Sequence, residues 1–428
     1  MLWRKYGGVR ERCADLNPFR PGSTRLLLPA SGPDIRWNIH KRKQAHPGNP
    51  IRKLYFYNRN VFILWRGGVF LAGYAHVRCH WPDQTLFAYY PNHREWPVGC
   101  TIADRKGAII MQMTTLGRTN LTVSVAGLGC GGHSRLGLGT GGGERQAISI
   151  VHAAMDQGVN FIDTAQVYGT EDVVGRAVDG NRDQVMLSTK VQIVKPGAKP
   201  TGEDYISADV FVANFDDSLK RLRTDYVDIA HLHGVTPSQY GYCMKELVPA
   251  LFRLREQGKI RFLGLTERFI TDPRHDMLTG ALGDDCWDVI MAGFNLINPS
   301  ARERVFGQTH EKNIGVLNMF AVRRALSNAD ALDEIITGLI RDGVIDGGKL
   351  DADDPLGFLV HDGGAASIVE AAYRFCRHQS GTDIILTGTG NRNHLEENLS
   401  SLQKPPLAEA CLQRLEDLFG AVDCISGN

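Results

Sequence analysis

A carboxylate, a phenol, an amine and an imidazole stand close together in the middle of this chain. Asp163 and Tyr168 lie in Asn160-Phe-Ile-Asp-Thr-Ala-Gln-Val-Tyr-Gly169, Lys190 in Ser188-Thr-Lys-Val191, and His233 in His231-Leu-His233. Delivery of a hydride to a carbonyl carbon creates an alkoxide that must be protonated as it forms. A tyrosine can supply that proton, but at an ordinary pKa of ~10 it is a reluctant acid. An ammonium beside it stabilises the developing phenolate, and a carboxylate holds the ammonium in place. An imidazole can hydrogen-bond the carbonyl and fix it for attack. Taken singly, each residue has a plainer reading, because an Asp at a strand end often caps the next helix and a Lys is usually solvated. The four together read as one pocket.

The elements around them explain how four such residues would meet. Each follows a short apolar run: Val159 to Ile162 before Asp163, Val185 and Leu187 before Lys190, Tyr226 to Ile229 before His233. After a first strand in Gly127 to Gly132, strand-like runs recur near Val159, Val185, Tyr226, Arg261, Asp288, Ile314 and Asp383. Amphipathic helical stretches begin near Glu144, Glu171, Ser207, Lys245, Arg274, Ala301, Gly364 and Asn393. Eight alternations predict a closed parallel (β/α)8 TIM barrel, whose catalytic rim lies at the carboxyl ends of the strands. Thr115 to Thr119 and Leu121 to Ala126 read as an N-terminal β-hairpin. The connection after strand 7, Met319 to Gly363, is long and holds its own helical pattern from Asp330 to Arg341, so Phe320, Arg323 and Arg324 are expected to line the entrance of the pocket. Gly127-Leu-Gly-Cys-Gly-Gly132 fits G-x-G-x-x-G, but no helix opens at its third glycine. It reads instead as a glycine turn over a barrel mouth, where the backbone comes close to a ligand.

One barrel of ~250 residues leaves a remainder in a chain of 428, and that remainder lies at the front. Residues 1–110 hold 18 Lys and Arg against 6 Asp and Glu, leaving 30 against 41 for 111–428. Trp3, Trp37, Trp65, Trp81 and Trp96 fall in the front and only Trp287 in the rest. Without a sustained period and punctuated by prolines, residues 1–110 are expected to be a poorly structured extension, disordered or non-native, with 111–428 as the barrel and Met111 or Met113 as the working start. RNA or single-strand binding and organelle targeting are weaker readings of the same basic and aromatic residues. Val61 to Ala75, the most apolar stretch, is too short to span a bilayer. Nine cysteines with no C-x-x-C pair suggest reduced thiols in a cytoplasmic protein and no zinc site. His231 and His233 are expected on opposite strand faces, and no metal is expected.

Several ordered motifs from residue 113 to about 420 resemble the aldo-keto reductase family: Leu116-Gly-Arg-Thr, Phe161-Ile-Asp-Thr-Ala with Tyr168-Gly, Leu187-Ser-Thr-Lys190, Asp225-Tyr-Val-Asp228 leading to His233, Gly258-Lys-Ile-Arg-Phe-Leu-Gly-Leu265, and Gly388-Thr-Gly-Asn with His394-Leu-Glu-Glu-Asn398. The resemblance implies a catalytic tetrad of Asp163, Tyr168, Lys190 and His233 and a nicotinamide dinucleotide, NAD or NADP. The family's Ser-Asn pair on the carboxamide reads Thr266-Glu267 here, and its sixth-strand glutamine aligns with Met291. Gly388, Thr389, Gly390 and Asn391 would meet phosphate at a helix N-terminus. Arg392, His394, Glu397 and Asn398 fall on the adenosine side. The family's frequent arginine aligns with His394 and its lysine with Gly388, which makes NAD plausible, since a 2′-phosphate wants clustered cations.

The expected function is interconversion of an aldehyde or aldose carbonyl with the alcohol or lactone, loosely in the style of aldose and sugar lactone-forming dehydrogenases. A cofactor-binding regulatory subunit with little turnover is the alternative, and a phosphate-sugar barrel enzyme a more remote one. The expected partner is a small-molecule carbonyl or sugar substrate, with no nucleic acid or membrane, on a monomer or weak homo-oligomer.

Overall fold

The computed structural model describes residues 111–428, apart from 352 and 362, and ahead of them the backbone of strands between Lys53 and Ala103. Those strands form two antiparallel sheets, Lys53–Tyr57 with Asn60–Trp65 and Gly68–Ala72, and His76–Trp81 with Gln84–Leu86 and Cys100–Ala103. The expectation for residues 1–110 otherwise falls outside the described residues.

Eight parallel strands close into the expected barrel: β1 (Ala126–Gly129), β2 (Phe161–Asp163), β3 (Met186–Gln192), β4 (Val227–Val235), β5 (Ile260–Glu267), β6 (Val289–Gly293), β7 (Gly315–Met319) and β8 (Ile384–Thr387), with β8 paired back to β1. β6, Val-Ile-Met-Ala-Gly, is apolar on both faces and buried throughout, because one side packs into the barrel and the other against helices. The helix Ala208–Leu222 shows how the outer layer forms. Ser207 caps it by accepting the Val210 amide, and Phe211, Phe215, Leu219 and Leu222 recur at helical spacing on its buried face.

The hairpin Met113–Leu116 with Leu121–Ser124 stops the barrel's amino end. Leu116, Leu121 and Val123 pack on Phe161, Ile229, Val289 and Leu317, which point inward from β2, β4, β6 and β7. Gly117 makes the close approach possible: at φ +42 it sits where a Cβ would lie 2.2 Å from the Gly315 nitrogen. With that end plugged by hydrocarbon, polar side chains inside the barrel are left to the opposite end.

Several helices begin a few residues from where apolar spacing placed them. The one expected near Gly364 runs Ile368–Arg377, capped by Ser367, and the one expected near Asn393 runs Arg392–Leu402, capped by Asn391. Spacing marks the buried face of a helix, whereas its start is set by the cap.

Candidate active site

β2 ends at Asp163, and β3 carries Ser188 and Lys190 on its barrel-facing side. Lys190 Nζ donates to Asp163 Oδ2 at 2.5 Å and to the Thr164 carbonyl at 2.8 Å, while Ser188 Oγ donates to Asp163 Oδ1 at 2.8 Å. Both members of the ion pair are buried, with 1% and 4% of their side chains exposed. Burial alone would lower the Lys190 pKa, but the Asp163 carboxylate, together with Tyr168, outweighs it and the net shift is upward, so the amine stays charged. Burial pushes Asp163 up, against the opposing pull of Lys190 and Ser188.

Tyr168 comes off a single turn, Gln166–Tyr168, that Gly169 ends at φ +68. Its ring lies with the centroid 5.0 Å from Lys190 Nζ, and its hydroxyl is 3.5 Å from His233 Nε2. The two rings meet edge to face at 5.5 Å. Gly131 supplies the space on the other side, since a Cβ there would lie 2.6 Å from the phenol ring. Burial pushes the Tyr168 pKa up and Lys190 pulls against it. His233 is pushed down to about 3, by burial first and then by Lys190 and Arg268, so it is a neutral hydrogen-bonding group at ordinary pH. All four sequence-expected residues are therefore adjacent at the carboxyl end of the barrel, with Asp163 and Lys190 buried and Tyr168 and His233 half-buried.

His231 departs from the expectation. Residues two apart on a strand share a face, so His231 and His233 both enter the barrel. His231 is paired in register with Lys190, and Gly264 makes room for it: a Cβ at Gly264 would lie 2.1 Å from its Nδ1. Neither ring nitrogen has a hydrogen-bond partner. Among the described residues no cluster of three His, Cys, Asp or Glu is arranged to hold a metal ion.

The residues proposed for a dinucleotide divide into two groups. Thr266, at the end of β5, is committed to the protein, as is Glu267 beside it, where the family's amide donor is missing. The Thr266 hydroxyl accepts the Gly234 amide at 2.7 Å, and Glu267 accepts the Gly293 amide at 2.7 Å and binds His275 Nδ1 at 2.9 Å. Glu267 thus turns into a buried chain that continues from His275 Nε2 to Ser300 Oγ at 3.1 Å. Sequence reasoning missed His275 and Ser300, whose only signal was the unexpected acid at 267. The other group forms an accessible edge. Gly388, Asn391, Arg392, His394 and Glu397 are exposed at the start of the helix behind β8, Gly390 is half-buried and Thr389 is buried. Asn391 caps the helix by accepting the Asn393 amide at 2.8 Å, Arg392 pairs with Glu396 at 3.1 Å, and Asn398 donates to Thr387 at 2.9 Å. Gly388 lies against the end of β1 and Gly390 against the turn that follows it, where a Cβ would meet Gly129 O at 2.4 Å and Gly137 N at 2.3 Å respectively. An 11-residue helix opening behind an exposed glycine turn fits a dinucleotide's phosphates in charge and shape.

The aldo/keto reductase family model matches residues 129–419. L-galactose dehydrogenase of Arabidopsis thaliana is 36% identical over 160 residues, 36% of this chain and 48% of that protein. An uncharacterised oxidoreductase, YqkF of Bacillus subtilis, is 26% identical over 72% of this chain and 96% of its own length. The holo form of aldo-keto reductase AKR11C1 from Bacillus halodurans superposes with a TM-score of 0.56 at 25% identity, covering 74% of this chain and 98% of that one. The chain belongs to the aldo/keto reductase family, a class of NAD(P)-dependent oxidoreductases acting on carbonyl and alcohol groups.

Proposed function

We propose that this protein reduces an aldehyde or oxidises an aldose, with Tyr168 as the proton donor or acceptor. The observation that carries the reading is the placement of the Tyr168 hydroxyl 3.5 Å from His233 Nε2, above a buried Lys190 that Asp163 holds at 2.5 Å. In this arrangement neutral His233 donates to the substrate carbonyl and orients it. Tyr168 gives its proton to the oxygen as negative charge develops, and the charged Lys190 stabilises the phenolate left behind. In the oxidising direction the same groups run in reverse, with Tyr168 taking the proton from the alcohol.

A nicotinamide dinucleotide, NAD or NADP, would supply or accept the hydride. Gly388, Thr389, Gly390 and Asn391 would hold its phosphates at the helix start, with Arg392, His394, Glu397 and Asn398 on the adenosine side. Arg392 is engaged with Glu396 rather than free for a 2′-phosphate, which favours NAD. The likeness to L-galactose dehydrogenase supports trying aldoses first.

The test is turnover by the full chain with NADH, NADPH, NAD and NADP against a panel of aldehydes and aldoses, with Tyr168→Phe as control. Cofactor-linked turnover that disappears in the variant while cofactor binding persists supports the reading. A variant that keeps its rate removes Tyr168 from the chemistry, and cofactor binding without turnover on any substrate favours a regulatory role.

A further inference from the structure

We infer that Arg323 and Arg268 form an anion-recognising pair over the tetrad, and that the substrate carries a carboxylate or phosphate in addition to its reacting carbonyl. This deepens the oxidoreductase reading above and rests on it.

Arg323 is a built feature of the barrel mouth. It follows β7 after Phe320, a non-glycine residue held at φ +68, where a bulky side chain is strained and persists only when its surroundings fix it. Those surroundings are a stack of rings. His275 lies face to face on Phe269 at 5.2 Å, Phe269 meets Phe320 edge to face at 5.6 Å, and the Arg323 guanidinium lies 4.2 Å from the Phe320 centroid. The far end of the stack is anchored, since His275 is bonded to buried Glu267. Asn428 Oδ1 accepts from Arg323 Nε at 3.1 Å and Nη2 at 2.6 Å. That leaves Nη1 free, 3.7 Å from where a Cβ of Gly132 would be. Gly131, the preceding residue, touches the Tyr168 ring, so the free end of Arg323 and the reacting phenol flank the same two glycines.

Neither arginine is neutralised. Among the described residues Arg323 and Arg268 take part in no ion pair with a carboxylate, whereas Lys190 is matched by Asp163. Arg268 follows Glu267 at the end of β5; its Nε is buried without a partner, and its Nη1 lies 3.8 Å from the Cβ position of Gly234, next to His233. Its charge contributes to the depressed pKa of His233, while burial lowers that of Arg323 against an opposing pull from Tyr168. A half-buried guanidinium without a counter-ion is costly unless a ligand supplies one, and the N–H groups left over, Nη1 of Arg323 and the unpartnered Nε of Arg268, can each donate to one oxygen of a carboxylate or phosphate. The diphosphate of the dinucleotide is the competing source of negative charge.

The test compares matched substrates on the full chain: succinic semialdehyde against butanal, and glyceraldehyde 3-phosphate against glyceraldehyde, each as kcat/KM. Cofactor Kd is measured in parallel, as is the binding of succinate to the complex with oxidised cofactor. The expected result is a preference of about tenfold or more for one anionic member, with a tenfold fall in that ratio in Arg323→Gln and in Arg268→Gln but not in Arg323→Lys. Equal kcat/KM for both members of both pairs overturns the inference. So does a variant whose cofactor Kd weakens tenfold while the ratio stands, because the arginines then serve the diphosphate. If no carbonyl is turned over, the oxidoreductase reading itself fails. Succinate binding still decides the anion site in that case: loss of binding in Arg323→Gln at unchanged Tm supports it, and no binding to the unaltered chain overturns it.

Discussion

Lys190 Nζ and Asp163 Oδ2 meet at 2.5 Å with both side chains closed off from water. Asp163→Asn keeps the shape but leaves an ammonium buried beside a neutral amide. Breaking one side of such a pair costs about 3 kcal/mol or more, because the remaining charge is uncompensated. We expect Asp163→Asn to lower stability in urea by that order and to lower kcat by roughly 10²-fold as Lys190 loses its anchor. A variant with unchanged stability and rate would show that the pair is dispensable.

The direction of each pKa shift at the site predicts opposite pH profiles for the two reaction directions. Burial raises Tyr168 above its ordinary value, so the phenol stays protonated through neutral pH. Reduction needs that proton, and its rate should be flat near pH 7 and fall only on the alkaline side. Oxidation needs the phenolate and should rise with pH across the same range. His233, pushed down to about 3, should add no acid limb near its usual pKa. Initial rates in both directions from pH 5 to 10 check this, and an oxidation rate that declines toward alkaline pH would contradict the assignment of Tyr168.

His231 carries a prediction about stability. It is fully buried, its two nitrogens lack partners, and its pKa is driven well below the usual value by burial, then by Lys190 and His233. Burying polar atoms without hydrogen bonds costs about 1–3 kcal/mol, so His231→Leu should raise stability by up to that order at pH 7. The sign of the acid dependence follows from linkage. An unfolded-state histidine binds a proton near pH 6.5 while the folded one does not, so stability present above that pH is lost as pH falls below it. His233 adds to the same loss down to about pH 3. Urea unfolding at pH 7 and pH 5 should show a steeper decline in the natural chain than in His231→Leu. Equal slopes would mean that His231 is protonated when folded.

Much of this architecture is legible in the sequence because the barrel repeats one signal eight times. An apolar strand, a polar residue at its end and an amphipathic helix recur often enough to fix the order of elements, and with it the convergence of Asp163, Tyr168, Lys190 and His233. The hairpin is legible for a similar reason, since Leu116 and Leu121 flank a turn at Arg118 to Asn120. What was not legible depends on contacts between strands. Glu267 looks in sequence like a polar residue facing the pocket, and only the position of His275 and of the Gly293 amide turns it inward. His231 was expected to face away from His233, although strand alternation puts both inside. The ring stack that fixes Arg323 joins two connections, residues 269 and 275 after β5 and residue 320 after β7, and no local pattern announces it.

The turn of Glu267 away from the pocket yields a last prediction, in which an expectation drawn from the family and the geometry of this chain disagree. If position 267 contacted a carboxamide, Glu267→Asn would restore an amide donor and tighten cofactor binding. Here the carboxylate receives the Gly293 amide at 2.7 Å and meets His275 Nδ1 at 2.9 Å, and His275 passes the chain on to Ser300. Asparagine is one methylene shorter and carries no charge, so it cannot reach both partners and leaves a buried amide or imidazole unsatisfied, at a cost of about 1–3 kcal/mol. It also loosens the anchor of the stack that ends at Arg323. We therefore expect Glu267→Asn to lower the Tm by several degrees without strengthening the binding of NADH or NADPH. Calorimetric unfolding together with cofactor titration separates the two outcomes. Tighter cofactor binding at unchanged Tm would show that the side chain faces the ligand after all.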